Sequence, residues 1–293
     1  MSAFHLLVAG SANLDFVVRA ASIPVPGETV LGRDFATFPG GKGANQAVAC
    51  ARAGGAGTRM LLALGDDDYA RVLEDSLRDA GVVLHVVRSE RPTGAAFICV
   101  ADNAENAITV APGANATLAS EHLPSLDGVS WLLLQLETPL ETVHDFAVHA
   151  RAAGVHVALN AAPAQALPDL LLNALDLLIV NEGELTALAG DDGEVVSKLS
   201  RLRVPSVVVT LGSQGCIAKY RGELLEVPAF PVKVVDTTAA GDTFCGALVA
   251  RLAQGDAMRD GLRYASAAAA LACTRAGAQA SVPVQAEVEA MLR

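Results

Sequence analysis

Short apolar runs, each closed by a polar residue or a glycine, alternate along this chain with segments whose apolar positions fall three or four apart. The runs at 4–9, 60–64, 131–136, 155–159, 174–180 and 207–210 predict buried strands, because a strand covered on both faces needs no polar alternation. Amphipathic helices are predicted at 69–80, stopped by Gly81, and at 140–153. Residues 82–87 read as extended. Strands separated by helices predict an α/β fold, a Rossmann-like, mostly parallel central sheet flanked by helices. Glu137, Asn160, Asn181 and Thr210 all fall at the carboxyl ends of these strands, the edge where open α/β sheets bind ligands.

Two segments break the rhythm. Residues 13–38, with Pro24, Pro26 and Gly27 inside them, and 93–110, with a turn at Asp102 and Asn103, read as antiparallel strands inserted into it. They predict a small β-sheet over one end of the main unit, a candidate lid. Asn13 and Asp15 alternate, so in an extended segment they point the same way. A glycine-rich run at 39–44 leads into a small-residue helix from Asn45 that ends at Gly54 and Gly55. Further helices are expected after Gly241 to about Leu252, over 256–273 and over 285–292, with an irregular loop at 274–281. No repeat or linker divides the chain, so residues 1–293 are read as a single domain.

Hydrophobic residues make up 52% of the chain and aromatic ones 4%, which predicts a large aliphatic core in which alanines let helices approach closely. A net charge of −11 argues against a nucleic-acid partner. The five cysteines, Cys50, Cys99, Cys216, Cys245 and Cys273, are scattered and odd in number, so neither a disulfide scaffold nor a zinc site is expected. The first residues lack the basic region of a secretory signal, and the alanine run at 265–272 is too short to cross a bilayer. A cytoplasmic location with no membrane partner is therefore expected.

The most informative run is VVDTTAAGDTFCGAL at 234–248. Its small residues let the backbone N–H groups of Ala239, Ala240 and Gly241 approach a ligand at a helix start, where they stabilise an anion such as a phosphoryl group in transfer. Asp242 at the same turn is either a general base for an attacking hydroxyl or a helix cap. Gly40–Asn45, GGKGAN, lacks the P-loop pattern. It is either a flexible turn with a cap, or a polyol-binding segment with close backbone approach at Gly41 and Gly43 and an amide from Asn45. Asn13, Asp15 and Glu137 offer the fixed donors and acceptors that sugar hydroxyls need. Glu184, in NEGE, either holds Mg²⁺ through water or is an acidic first helical turn. The run 210–215, TLGSQG, either holds nucleotide phosphates or is a plain hairpin turn.

GGKGANQAVACARAG and DTTAAGDTFCGAL, together with GSANLD, PGET, LQLE, NEGE, TLGSQG and TRAGAQASVP in order along the chain, resemble the ribokinase (PfkB) family of carbohydrate kinases. The resemblance implies a ribokinase-like α/β domain with a β-sheet lid, often used for homodimerisation, and ATP-dependent phosphorylation of a pentose, ribose at O5, with Mg²⁺ and K⁺. Ribose contacts are implied for Asn13, Asp15, Gly41, Lys42, Gly43, Asn45 and Glu137, the base for Asp242, and the anion hole for 239–241. Nucleotide contacts are implied for Asn181, Thr210, Leu211, Gly212, Ser213, Gln214, Gly215, Gly241 and Ser266, with Glu184 near Mg²⁺. A K⁺ loop is implied at Asp236, Thr238, Ala272, Arg275, Gly277 and Ser281, the last through its hydroxyl and most others through carbonyls. The chain departs from the family in reading NAAPA at 160–164 and in having Ala280 and Ser266 where a proline and a larger residue are common. A related pentose such as deoxyribose, or a nucleoside, is the alternative substrate; the low aromatic content speaks against a nucleoside. A non-catalytic sugar sensor would have no need of the Gly241–Asp242 pair.

Overall fold

The computed structural model describes residues 6–103 and 105–293. In chain order the elements are β1 (Leu6–Ala9), β2 (Asn13–Ala20), β3 (Asp34–Gly40), α1 (Lys42–Arg52), β4 (Thr58–Leu64), α2 (Asp68–Asp79), β5 (Val83–Arg88), β6 (Gly94–Ala101), β7 (Asn106–Ala111), β8 (Trp131–Leu134), α3 (Leu140–Ala152), β9 (His156–Asn160), α4 (Asp169–Ala174), β10 (Leu177–Asn181), α5 (Glu182–Ala189), α6 (Val195–Arg201), β11 (Ser206–Thr210), β12 (Cys216–Tyr220), β13 (Glu223–Val227), α7 (Ala240–Ala253), α8 (Met258–Ala272) and α9 (Gln285–Leu292). Residues 4 and 5 of the first expected strand, and Ala104 beside the turn between β6 and β7, lie outside the described residues.

Among the described residues, nine strands form one sheet in the order β13-β12-β11-β10-β9-β8-β1-β4-β5. From β11 to β5 every pairing is parallel. The hairpin β12–β13 adds two antiparallel strands at one edge. Successive side chains bury on opposite faces: Leu6 and Val8 join one core, under α1, α7 and α8, while Leu7 and Ala9 join the other, under α3. That is why these strands read as unbroken apolar runs.

The segments that broke the rhythm form a separate four-stranded sheet, β3-β2-β6-β7. It is not wholly antiparallel as expected: β2 and β6 at its centre run parallel, from Asn13 opposite Gly94 to Ala20 opposite Ala101. Both strands leave the main sheet in the same direction and therefore enter the second one side by side. Strand β3 begins only at Asp34 within that segment.

Helix α1 begins at Lys42, three residues before Asn45, because its first N–H groups find partners outside the helix. Lys42 N donates to Glu137 Oε2 (3.1 Å), Gly43 N to Ser11 Oγ (3.3 Å) and Ala44 N to the Ser11 carbonyl (2.8 Å). Gly41, the N-cap, has φ 88°, open to glycine and strained for other residues. A Cβ on Gly43 would lie 2.6 Å from Ser11 N. The close approach at these glycines is thus first of all one of the chain to itself. Small residues likewise draw α1 against α7: Cys50 Sγ donates to the Gly246 carbonyl at 3.3 Å, and a Cβ on Gly246 would lie 2.6 Å from that of Ala49.

Candidate active site

Close packing of α1 on α7 brings Asn45 and Gln46 against Asp242, in the first turn of α7. Asp242 is 8% exposed. Its Oδ2 accepts from Asn45 Nδ2 at 3.0 Å and its Oδ1 from Gln46 Nε2 at 2.9 Å. A residue that merely capped α7 would accept from the helix's own N–H groups, as Asp67 does at α2. The N-cap of α7 is instead Ala239, in left-handed conformation at φ 57°, with no side-chain cap bond.

Of the three expected anion-hole donors, Ala240 is already engaged: its N–H donates to the Thr237 carbonyl at 3.2 Å. Among the described residues the N–H groups of Ala239, Gly241 and Asp242 have no such partner, and a Cβ on Gly241 would meet nothing within 4 Å. The available donors are thus 239, 241 and 242 rather than 239–241, because the turn closes through Ala240.

Asp15 and Glu137 complete an acidic group around Asp242. Burial, with the charges of Glu137 and Asp242, pushes the Asp15 carboxyl up to about 7. Glu137 is anchored by Ser11 Oγ (2.6 Å) as well as by Lys42 N. Burial works to lower the Lys42 ammonium, but the charges of Asp242, Glu137 and Glu184 outweigh it and hold it above its ordinary value. Asn13, 2% exposed, accepts from Asn115 Nδ2 at 2.8 Å. Its own amide NH₂ is therefore the group left for a ligand.

Two cavities meet at this point. The smaller, about 150 Å³, is lined by Lys42, Asn160, Asn181, Glu184, Gly241 and Asp242 among others. The larger, about 580 Å³ and mainly apolar, includes Thr210, Gly212, Ser213, Gly215, Phe230 and Ser266 in its walls. Thr210 and Gly241 line both. On α8, Ser266, Ala269, Ala270 and Cys273 follow helical spacing and present one small-residue wall to the larger cavity. Two expected contacts do not reach it. Leu211 packs its side chain on the core under α3, and Gln214 is exposed on the turn outside the cavity. The run 210–215 is both a turn between antiparallel strands and a cavity wall.

Asn181 and Glu184 form a reciprocal capping box at α5, with Asn181 N donating to Glu184 Oε2 and Glu184 N to Asn181 Oδ1, both at 2.8 Å. Burial raises Glu184 above the ordinary carboxyl value, against the Asn181 hydrogen bond. Its other oxygen, Oε1, remains for a hydrated cation, so the residue fits Mg²⁺ held through water. Asp236 Oδ1 accepts from Thr238 N (2.9 Å) and Thr238 Oγ1 (2.6 Å), and its Oδ2 from Gly277 N (3.0 Å). It thereby ties the loop before α7 to the loop after α8. The carbonyl of Ala272 accepts from Arg275 N, and the Arg275 guanidinium pairs with Glu287 at 2.5 Å. The Ser281 hydroxyl donates to the Ala278 carbonyl at 2.8 Å, so only its lone pairs remain for a cation. Among the described residues no three or more His, Cys, Asp or Glu gather as a metal site. Neutral oxygens on two tied loops suit an alkali cation better than a transition metal.

Sequence reasoning missed Ser11, Gln46, Asn115 and Gln135, all at most 1% exposed. The available signal was a polar side chain inside an otherwise small or apolar run, as with Gln46 in ANQAVAC and Gln135 in LLLQL.

The model of the pfkB family carbohydrate kinases matches residues 3–285. The chain is 38% identical to a ribokinase of Haemophilus influenzae over 96% of each chain and 33% identical to a deoxyribokinase of Salmonella typhi over 95% of each. The structure of an Arabidopsis thaliana ribokinase complexed with ribose and ATP superposes with a TM-score of 0.90 at 33% identity, over 100% of this chain and 99% of that one. The chain belongs to the pfkB family of carbohydrate kinases and is an ATP-dependent phosphotransferase.

Proposed function

We propose that the enzyme transfers the γ-phosphoryl group of ATP to O5 of D-ribose, giving D-ribose 5-phosphate and ADP, with Asp242 as general base. The observation that carries this reading is the buried Asp242 carboxylate in the smaller cavity, next in the chain to Gly241, which lines both. ATP would occupy the larger cavity, with its base between the 210–215 turn and the small-residue face of α8. The sugar would meet Asn13, Asp15, Lys42, Asn45 and Glu137. Asp242 accepts the proton of the O5 hydroxyl as that oxygen bonds to the γ-phosphorus. The bond from phosphorus to the β–γ bridging oxygen breaks, and ADP leaves. Charge on the transferring group falls to the Gly241 and Asp242 N–H groups and the Lys42 ammonium. Mg²⁺, when bound, would supply charge neutralisation on the phosphates, and Glu184 would hold it through water. K⁺ would be held by the Asp236 and 274–281 loops, and its part is to fix the start of α7.

The identity to a deoxyribokinase favours 2-deoxyribose as the second reading. A screen of ATP consumption over ribose, deoxyribose, other pentoses, fructose and nucleosides separates the two. Sugar binding without turnover would indicate a sensor instead. We further propose a homodimer formed through the second sheet. Phe38, Val110 and Ile108, 37%, 41% and 56% exposed, lie on the same face as Asp15 by register, and an apolar face of this kind calls for cover. Five free cysteines fit a reducing cytoplasm, and no helix among the described residues is long and apolar enough to cross a membrane.

The test of the base is Asp242→Asn, which keeps size but cannot take the proton and turns one of the two acceptors of the Asn45 and Gln46 amides into a donor. We expect kcat to fall by roughly 10²–10⁴ with folding and ATP affinity retained. Turnover above about a tenth of the parent's in a folded variant would remove Asp242 from the role.

A further inference from the structure

We infer that Gln46 and Gln135 form a buried amide relay that positions the Asp242 carboxylate; the inference rests on the reading of Asp242 as the base and deepens it. Gln46 is 0% and Gln135 1% exposed, so neither can meet a substrate directly. Their amide groups bond inside the protein, save Gln135 Oε1, which is buried with no partner among the described residues. Gln46 Nε2 donates one hydrogen to Asp242 Oδ1 (2.9 Å) and the other to Asn160 Oδ1 (3.0 Å). Gln46 Oε1 accepts from Gln135 Nε2 at 2.7 Å. Asn160 is oriented in turn, since its Nδ2 donates to the Ile179 carbonyl at 3.2 Å.

This network admits one orientation of the Gln46 amide. Reversing it would set Oε1 against two acceptors, Asp242 and Asn160, and set its NH₂ against the NH₂ of Gln135. Asp242 and Asn160 thus set which end of Gln46 faces the base, and Gln135, just past the end of β8, holds that orientation through its Nε2 bond to Gln46 Oε1. The second amide on Asp242, from Asn45, is of another kind. Asn45 Oδ1 is buried with no protein partner, which leaves that side chain an acceptor for a ligand hydroxyl and lets it trade partners as a sugar enters. Gln46 has no such outlet, so it holds the carboxylate while Asn45 exchanges. A base must keep its oxygen aligned with the attacking hydroxyl, and small misplacements cost rate while leaving binding intact. Gln46 and Gln135 are thus positioning residues acting through Asp242.

The experiment compares Gln46→Met and Gln135→Met, close in length but without amide groups, each alone and combined with Asp242→Asn. We expect Gln46→Met to lower kcat about tenfold to a hundredfold with KM for sugar and for ATP within about twofold. Gln135→Met should lower kcat less, by about threefold to tenfold, because Gln46 keeps its donors and loses only its orienting partner. In the Asp242→Asn background neither change should lower the residual rate further, since the group they position no longer acts as a base. A kcat near the parent's for Gln46→Met, or an equal loss in both backgrounds, would overturn the relay and leave the base standing. Full turnover by Asp242→Asn alone would instead sink the base itself. Should Gln46→Met fail to fold, Gln135→Met, which does not touch Asp242, carries the same comparison.

Discussion

Replacing Asp15 with Asn should stabilise the ligand-free enzyme at pH 8 and weaken its hold on the sugar. Asp15 lies half-buried beside Glu137 and Asp242, and burial with those two charges pushes its carboxyl from 3.8 up to about 7. The folded state thus favours the protonated form. Below the unfolded value the folded protein suffers no penalty from this group. As pH rises from about 4 through about 7, the unfolded chain gives up its proton first, and stability falls. A shift of about three units corresponds to at most about 4 kcal/mol. Solvent at the mouth of the cleft and relaxation of the neighbours reduce that, and we expect about 2 kcal/mol. Asn removes the charge and keeps the shape, so the advantage of Asp15→Asn should grow between pH 5 and pH 8, reaching roughly 3 °C in Tm.

The assay is thermal unfolding of both proteins without sugar at pH 5, 6, 7 and 8, followed by sugar titration at pH 8. Sugar should raise the Tm of the parent more than that of the variant, because hydroxyl donors satisfy an ionised Asp15 and do less for an amide. A Tm difference that stays flat from pH 5 to pH 8, or an Asp15→Asn that is less stable than the parent at pH 8, would refute the electrostatic account.

Potassium should raise kcat clearly above the rate in sodium-only or Tris-only buffer, and Asp236→Ala should abolish that response, because it unties Thr238 from Gly277; steady-state rates across the three buffers check it. Ile108→Arg, on the exposed face of the second sheet, should shift sedimentation from dimer to monomer. Gly43→Ala should cost roughly 2–4 kcal/mol by denaturant titration, since its Cβ would press on the backbone of Ser11.

How far the sequence could be read follows from where the information sits. The parallel sheet was legible because strands buried on both faces leave unbroken apolar runs, as at 60–64 and 131–134. The hairpin β12–β13 was overlooked: it lies at the sheet's edge, and its alternating Lys219, Glu223 and Glu226 dilute the apolar signal. The parallel pairing of β2 with β6 has no local signature, since it depends on how two distant segments leave the main sheet. Residues such as Asp242 and Asn45 stood out because they fall in motifs dense with glycine and alanine. Gln46 and Gln135 did not, because their partners lie 196 and 89 residues apart in the chain. That the Ala240 N–H closes a turn on the Thr237 carbonyl was not legible, because that turn is a matter of backbone geometry, not of residue type.

The acidity of the site and the anionic group it would handle are reconciled by the same packing that builds it. Asp15 feels the charges of Glu137 and Asp242, and the Lys42 ammonium lies near Asp242, Glu137 and Glu184, in a place where phosphoryl charge would also have to be accepted. Each carboxylate is met differently. Glu137 is tied to Ser11 and the Lys42 N–H, and so doubles as a remote cap for α1. Asp242 is held by two amides. Asp15 has no comparable donor among the described residues, and burial with the charges of Glu137 and Asp242 pushes its carboxyl up to about 7. The unmet demand is therefore concentrated on the residue expected to hold sugar hydroxyls, beside an Asn45 oxygen that also lacks a partner. On the proposed reading a polyol would supply hydroxyl donors at both points, and its binding would offset the cost of leaving those groups without donors. A phosphoryl group entering from the larger cavity would, on the same reading, meet the Gly241 N–H where the two cavities join and, in the smaller one, the Lys42 ammonium. The first turn of α7 brings the two demands side by side, with Gly241 lining both cavities and Asp242 the smaller one.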